Sequence, residues 1–583
     1  MRILFLHPED APWQGEWGGQ RWDLIVDLGF ASPHRYDEWS RRVGSRVLSI
    51  FQSTGDTDGF RWVNRVFECG RGRLLDSMGI DWWEVLAMES YHDLRILYLF
   101  HQLRREITGA DVEYFGTRPH LFTKFVEQIV KKPVHNYQDA RRGPISRVAQ
   151  MLRSARKFRP EQIAEISFDK WDPAYGLRRR VTKHKRARLA DSAVLLPSAY
   201  FHVTRSALAY AGHLPNRRFL LATTRRSALP DQLPVNVTAA PLSAYVRPLH
   251  NVKAESAELQ VAWDTFRRTM SEVEEFRQGA EAGLWDYFPA HLQQGLHLRE
   301  AWKQLLELEP ITGVLCGDDL NYHTRLPLML AHRGDRNAVY CSHGALDGGF
   351  LFKMPFADSF LVKGEMEKNY LQSACAISPE KILVGAPARS TGAGWADQKA
   401  GALVFFSQPY EVEGGRAEEI YRELLPLLST AADRSGHKLT IKLHPFESRQ
   451  ARKALAASIL PADACKRIEI TSDISPDTVM TRAWCGVTVD SSIAVECTLR
   501  RIPCFLCGWL DFGGMGYLQQ FARYGAGRVL ASPVDIERIP ETIADWRVDP
   551  AVIARLWQEV DSKQLDEILF GHHKVRSSDP CAF

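Results

Sequence analysis

The chain has 583 residues, of which 45% are hydrophobic and 25% charged, with a net charge of +4. That length exceeds the size at which one hydrophobic core stops growing, so at least two domains are expected. The charge is too small to point to nucleic acid, and no apolar run approaches the roughly 18 residues of a membrane span.

The opening segment, MRILFLHPEDAPW, has one early Arg, a short apolar run and then acids, which is unlike a secretory signal and reads as a first buried strand. The loop after it, PWQGEWGGQRW, has Gly18 and Gly19 to permit close approach and Trp13 or Trp17 to offer a sugar-stacking face. It is expected to touch an acceptor. Further strands are expected at RVLSIF, VEYFG, AVLLPS, RFLLAT, GVLCGDD and NAVYCSHG, separated by amphipathic stretches such as SYHDLRILYLFHQLRREI and AELQVAWDTFRRTMSEVEEF. Apolar residues there recur at three and four, the helical spacing, and strands alternating with helices are the pattern of parallel α/β units. Within this half, Arg141 to Arg188 is densely basic. It is a solvated helical face, a patch for anionic lipid or a grip on an anionic substrate.

A second strand series follows: FLVKG, KILVGAP, ALVFFSQP, LTIKLHP, CGVTVDSS and IPCFLCG. The glycine-rich stretch around residues 385 to 401 is the best boundary between the two series, giving an N-terminal unit over 1–390 and a C-terminal unit over 391–583. The ten cysteines are scattered. Most, among them Cys316, Cys341, Cys485 and Cys497, lie in apolar segments and read as small buried hydrophobes of a reducing compartment. Cys504 and Cys507 have zinc-knuckle spacing without a second pair, so a buried strand running into a turn is expected there.

In open α/β sheets, ligands bind beyond the carboxyl ends of the strands. LTIKLHPFES reads as a strand ending at His444, with Pro445 opening a helix that carries Glu447 in its first turn. Free N–H groups at such a helix start suit a phosphate, and a protonated imidazole beside it neutralises charge or donates a proton as a sugar–phosphate bond breaks. One unit later, a strand ending at Val489 leads to Asp490, Ser491 and Ser492 at a helix start, with Glu496 one turn inside on the same face. That carboxylate could accept both ribose hydroxyls. Gln408 and Pro409 follow the first strand of the second half, and a Gln amide can read a pyrimidine edge.

Strand–Gln-Pro, strand–His-Pro and strand–Asp-Ser-Ser in this order resemble the donor domain of the capsule-type β-Kdo transferases, named for their QP and HP motifs, and are similar to CMP-sugar transferases of bacterial surface polysaccharide synthesis. The resemblance covers about Gly401 to Gly508. It implies an α/β GT-B fold, two Rossmann-like domains facing a central cleft, and a glycosyltransferase moving Kdo from CMP-Kdo, with retention, onto a surface glycan or lipid-linked acceptor. It implies that Gln408, Lys442, His444, Pro445, Asp490, Ser491, Ser492 and Glu496 hold the nucleotide, with no cofactor or metal. The catalytic carboxylate then comes from the N-terminal unit, where GVLCGDDLNYHTR runs an apolar strand into Asp318 and Asp319 with Asn321, His323 and Arg325 close behind. These acids are either catalytic or a structural cap or pair with Arg325. Asp347, Glu113 and Glu16 are next in line. His343 resembles the strand-end histidine of many surface-polysaccharide transferases and is a further catalytic candidate, Lys353 could pair with a sugar carboxylate, and Arg325 is expected to contact the sugar or acceptor. Transfer of another nonulosonate, or of glycerol phosphate from CDP-glycerol, stays open. So does a non-catalytic scaffold binding partners through the basic stretch. The expected location is cytoplasmic, peripheral on an anionic membrane through Arg141–Arg188, with no nucleic acid as partner.

Overall fold

A computed structural model of the chain describes residues 1–29, 33–49, 57–137, 184–225, 232–246, 252–318, 322–342, 356–388, 401–410, 416–472, 477–510 and 517–571. The first sheet has β1 (Arg2–Leu6), β2 (Leu24–Asp27), β3 (Arg46–Ser49), β4 (Glu113–Gly116) and β5 (Val134–Asn136), in the order β3-β2-β1-β4-β5. The second has β6 (Ala193–Ser198), β7 (Arg218–Thr223), β8 (Val237–Pro241), β9 (Ile311–Cys316), β10 (Asn337–Cys341), β11 (Ser359–Val362) and β12 (Ile382–Val384), in the order β12-β11-β10-β9-β6-β7-β8. The third has β13 (Ala402–Phe406), β14 (Lys438–Lys442), β15 (Glu469–Thr471), β16 (Ala483–Thr488), β17 (Cys504–Cys507) and β18 (Arg528–Leu530), in the order β15-β14-β13-β16-β17-β18.

Every strand pair within these sheets is parallel. Parallel sheets are covered by helices on both faces, which is why RILFL of β1 and AVLLPS of β6 are almost uninterrupted apolar runs. The cysteines follow the same rule. Cys316, Cys341, Cys485, Cys497, Cys504 and Cys507 are buried free thiols, the last two in β17.

Residues 1–390, expected as one Rossmann-like unit, therefore hold two sheets. They share one continuous core, which runs from Ile3 and Phe5 of β1 to Ala193 and Leu195 of β6 through Trp82, Trp83, Trp263 and Trp302. The helices Ala87–Ile107, Val252–Met270 and Phe288–Leu308 supply most of that packing. Deep within it Arg299 is fully buried and paired with Asp76 at 2.6 Å, and also with Glu255 and Glu300.

The third sheet has its own core, with Leu403, Phe405, Ile441, Val487 and Phe505 packed on Leu424 and Leu428 of the helix Ala417–Ser435. The chain then returns to the second sheet. Gln558 N donates to Lys363 O (2.8 Å) and Val560 N to Ala386 O (2.8 Å), and the helix Ser562–Phe570 buries Leu565 and Leu569 in the second sheet's core. At this crossing a Cβ on Gly364 would lie 2.4 Å from Arg555 O, so only glycine allows the approach.

Arg416 joins the first sheet to the third. Its Nη1 donates to the carbonyls of His7 (3.1 Å), Pro8 (2.7 Å) and Asp10, its Nη2 to the Asp27 carboxylate, and its guanidinium lies 5.1 Å from the Trp39 ring. Asp27 also accepts from Gly29 N (3.0 Å) and Tyr36 OH (2.9 Å), so the buried pair is fully hydrogen-bonded on the carboxylate side.

One turn on, burial pushes the Glu419 carboxyl up to about 7, against the opposing charges of Arg416 and Arg35. The folded chain thus binds this proton more tightly than the unfolded chain does. Its contribution is present below about pH 4.5, fades as pH rises to about 7, and above that an ionised buried carboxylate remains as a cost. Glu419→Gln is expected to flatten the stability profile between pH 5 and 8 and to raise stability at pH 8 by of the order of 2 kcal/mol. Urea unfolding at the two pH values checks this, and an unchanged slope would contradict it.

Candidate active site

The third sheet changes strand direction of growth between β13 and β16, the switch point at which its ligand crevice opens. β14, β13 and β16 are neighbours, so the Gln-Pro, His-Pro and Asp-Ser-Ser segments reach one edge side by side. Hydrogen bonds tie them into one unit. Gln408 Nε2 donates to Asp490 Oδ1 (2.5 Å), and Asp490 N donates back to Gln408 Oε1 (3.2 Å). Glu447 accepts from His444 N (2.7 Å) and Arg452 Nε (2.7 Å), and from Ser407 Oγ (2.8 Å) just after β13. Burial raises the Glu447 pKa, while these hydrogen bonds and the Arg452 charge hold the carboxylate form.

The expected helix start changes here. Pro445 does not open a helix. Residues Pro445–Glu447 form a turn, Ser448 caps the helix Arg449–Ile459, and Glu447 folds back onto the His444 backbone instead of standing in a first turn. Gln408 has both ends of its amide engaged by Asp490, which ties the two strand ends together. Lys442 is buried, with Nζ donating to Leu443 O at 2.7 Å. His444 Nδ1 accepts from Phe446 N (3.2 Å), which places the proton of the neutral ring on Nε2, a donor. The strand before Asp490 ends at Thr488, and Ser491 Oγ accepts from Ile493 N (3.3 Å) at the start of the seven-residue helix Ile493–Leu499.

The second sheet faces this edge. Tyr200, just beyond β6, meets the exposed Phe446 edge-to-face with centroids 6.5 Å apart, and Arg225, beyond β7, stacks 5.1 Å over Tyr200 and donates to its hydroxyl (3.2 Å). Burial raises the Glu496 pKa, opposed in part by the charges of Arg205, in the helix Phe201–Gly212, of Arg500 on its own unit and, more weakly, of Lys363, after β11. Lys363 is itself fixed by Glu367 (3.2 Å) and Ser342 O (2.9 Å). Two Rossmann-like units thus present their carboxyl edges to one another across a cleft, the GT-B layout, with the first sheet as an addition to it.

No protein-family model matches the chain, and no curated protein does. Solved structures to which it aligns include CalG4, the calicheamicin glycosyltransferase, at 15% identity over 66% of this chain and 96% of that one, TM-score 0.38. MurG of Acinetobacter baumannii aligns at 13% identity over 65% and 99%, TM-score 0.37. The UDP-GlcNAc 2-epimerase of Methanocaldococcus jannaschii, solved with UDP-GlcNAc and UDP, aligns at 11% identity over 65% and 98%, TM-score 0.39.

The second sheet's switch point lies between β6 and β9, and Asp318 stands just past β9, almost buried, with Cys316 Sγ donating to its carbonyl (2.9 Å). Asp319, Asn321, His343, Asp347 and Lys353 lie outside the described residues, as does 138–183 of the basic stretch. Arg325 is buried and acts electrostatically on Tyr91, within the packing between the first two sheets, so it is not an acceptor contact in the cleft. Trp17 is also displaced from its expected role. It is buried with Trp22, Tyr36 and Trp39, its Nε1 donates to Ala11 O (2.9 Å), and it forms core of the first sheet. Gly18 serves that loop, because a Cβ there would lie 2.3 Å from Trp13 O. Glu113 opens β4 at the amino edge, away from any strand-end crevice, and Glu16 is exposed in the first loop.

The sequence reading missed Tyr200, Arg205, Arg225, Lys363 and Phe446, which lie far apart along the chain. It also missed the pair His7 and His120 at the first sheet's switch point, rings 5.8 Å apart, although His7-Pro8 repeats the strand–His-Pro signal of His444. Burial lowers both imidazoles, His120 to about 4. Among the described residues no group of three His, Cys, Asp or Glu could hold a metal ion, and no helix is long and apolar enough to cross a membrane.

Proposed function

We propose that this chain is a glycosyltransferase that binds a CMP-activated sugar, Kdo in the first instance, at the carboxyl edge of the third sheet and transfers it with retention to a surface glycan or lipid-linked acceptor. The observation that carries the reading is the hydrogen-bonded union of the Gln408, His444 and Asp490 strand ends opposite Tyr200, Arg205, Arg225 and Lys363. His444 Nε2 donates to the leaving phosphate, and the cations across the cleft attract a donor that carries both a phosphate and a sugar carboxylate. A carboxylate at the end of β9, Asp318 or Asp319, attacks the anomeric carbon as the bond to the CMP phosphate oxygen breaks and CMP leaves. The acceptor hydroxyl then displaces the carboxylate and its proton passes to solvent water, so two inversions yield retention. The enzyme works at the cytoplasmic side of the membrane, with the basic stretch as its contact to anionic lipid.

Incubation with CMP-Kdo, CMP-sialic acid and CDP-glycerol in turn, with release of CMP as readout, tests this. CMP-Kdo is expected to be consumed fastest. Preference for CMP-sialic acid or CDP-glycerol would reassign the donor, and turnover of none of the three would favour the scaffold reading.

A further inference from the structure

A cavity of about 670 Å³ lies apart from the cleft, lined by His184, Lys185, Arg186, Arg188, Tyr245 and Gln304, with Leu308 at its rim. Its size is that of a small-molecule site. It borders the amino ends of β6 and β9, since Arg188 and Glu309 precede those strands, so it occupies the side of the second sheet opposite the strand-end crevice.

Three features show that this corner is built. Arg188 has a left-handed backbone, φ +54°, which a side-chain-bearing residue adopts at a cost unless its surroundings enforce it. The enforcement is visible: the N–H groups of Arg188 (3.0 Å) and Leu189 (2.8 Å) both donate to the buried Glu309 carboxylate, which also accepts from Tyr245 OH (2.8 Å), and Ala187 N donates to Tyr245 OH (3.0 Å). The Glu309 oxygens are thereby engaged, and among the described residues no carboxylate pairs with the side chains of Lys185, Arg186 or Arg188. The last feature is Gln304, 4% exposed, whose Nε2 donates to Glu307 (3.0 Å) while its Oε1 has no hydrogen-bond partner among the described residues. A buried acceptor without a donor is costly, and here it lines a cavity.

We propose that this cavity binds a phosphate ester carrying a free hydroxyl group: Lys185, Arg186 and Arg188 take the phosphate, and Gln304 Oε1 accepts from the hydroxyl. The same chemistry is offered by a soluble phosphorylated polyol and by a phospholipid with a polyol headgroup. The site is independent of the donor cleft.

The full chain is titrated with glycerol 1-phosphate, with inorganic phosphate and with phosphatidylglycerol vesicles, as wild type, as the triple variant Lys185→Ala, Arg186→Gln, Arg188→Gln, and as Gln304→Leu. Wild type is expected to bind glycerol 1-phosphate or the vesicles, more weakly as salt is raised, with at least a tenfold loss in the triple variant. Gln304→Leu is expected to weaken glycerol 1-phosphate more than inorganic phosphate. Binding of the soluble ester identifies a free ligand, and binding of the vesicles alone identifies a lipid headgroup. Protection of the triple variant by CMP is expected to match wild type, which separates this site from the donor site. Equal binding of both phosphoglycerol probes by wild type and triple variant, or binding of neither probe, would overturn the proposal.

Discussion

Replacing the strand-end carboxylate of β9 by its amide is expected to lower sugar transfer about 10³-fold or more while CMP affinity hardly changes. The change keeps the shape and removes the attacking charge. Asp318 is 8% exposed, at the switch point of the second sheet, on the unit facing the nucleotide edge, and Asp319 is its neighbour in sequence. Asp318→Asn and Asp319→Asn measured side by side decide which one attacks, with kcat and CMP binding followed separately. The two fallback carboxylates that fall among the described residues lose weight on geometry: Glu113 begins β4 at the wrong edge and Glu16 sits exposed in a loop closed on its own core. Near wild-type transfer by both Asn variants would remove the carboxylate mechanism from this strand end.

The second large effect is expected at Arg416. Arg416→Ala leaves the Asp27 carboxylate buried without its cation and removes the guanidinium donor from the carbonyls of His7, Pro8 and Asp10, and breaking one side of a buried pair costs about 3–5 kcal/mol. The loss should appear as undocking of the first sheet from the third. Proteolysis within residues 1–136, and the fluorescence of Trp39 beneath the guanidinium, report it directly. Arg416→Lys should rescue little, because one ammonium cannot span the carboxylate and the carbonyls that two guanidinium nitrogens reach. Wild-type denaturation midpoints for Arg416→Ala would contradict this account of the junction.

How legible the fold was depended on burial and strand length. Long apolar segments such as AVLLPS and ALVFFSQP were recognisable because both faces of a central parallel strand are covered. The strands not anticipated are short: Leu24–Asp27 follows the glycine-rich loop, and Val134–Asn136, Val237–Pro241, Glu469–Thr471 and Arg528–Leu530 lie at sheet edges, where pairing with one neighbour, more than local pattern, makes the strand. The division of residues 1–390 into two sheets was hidden because one core runs through both, so composition does not shift between them.

The site was legible as motifs and not as contacts. Strand–Gln-Pro, strand–His-Pro and strand–Asp-Ser-Ser did mark one edge, but spacing along the chain cannot say that Gln408 turns to Asp490, nor that Glu447 folds back to His444. Trp17 in a glycine-rich loop had the composition of a sugar platform, yet Trp22, Tyr36 and Trp39 around it make it core. Arg205, Arg225 and Lys363 carry no local signal at all, since what makes them notable is the sheet they face.

The most direct test of the central claim is nucleotide protection against thermal unfolding, run with CMP, UDP and GDP at millimolar concentration on wild type and on His444→Ala. A ligand bound only by the folded chain stabilises it by RT ln(1 + [L]/Kd), about 2.7 kcal/mol at a hundred times Kd. CMP is expected to raise the midpoint of wild type, UDP and GDP to do so far less, and His444→Ala to abolish most of the gain. Protection by UDP or GDP without protection by CMP, or full CMP protection of His444→Ala, would contradict the claim.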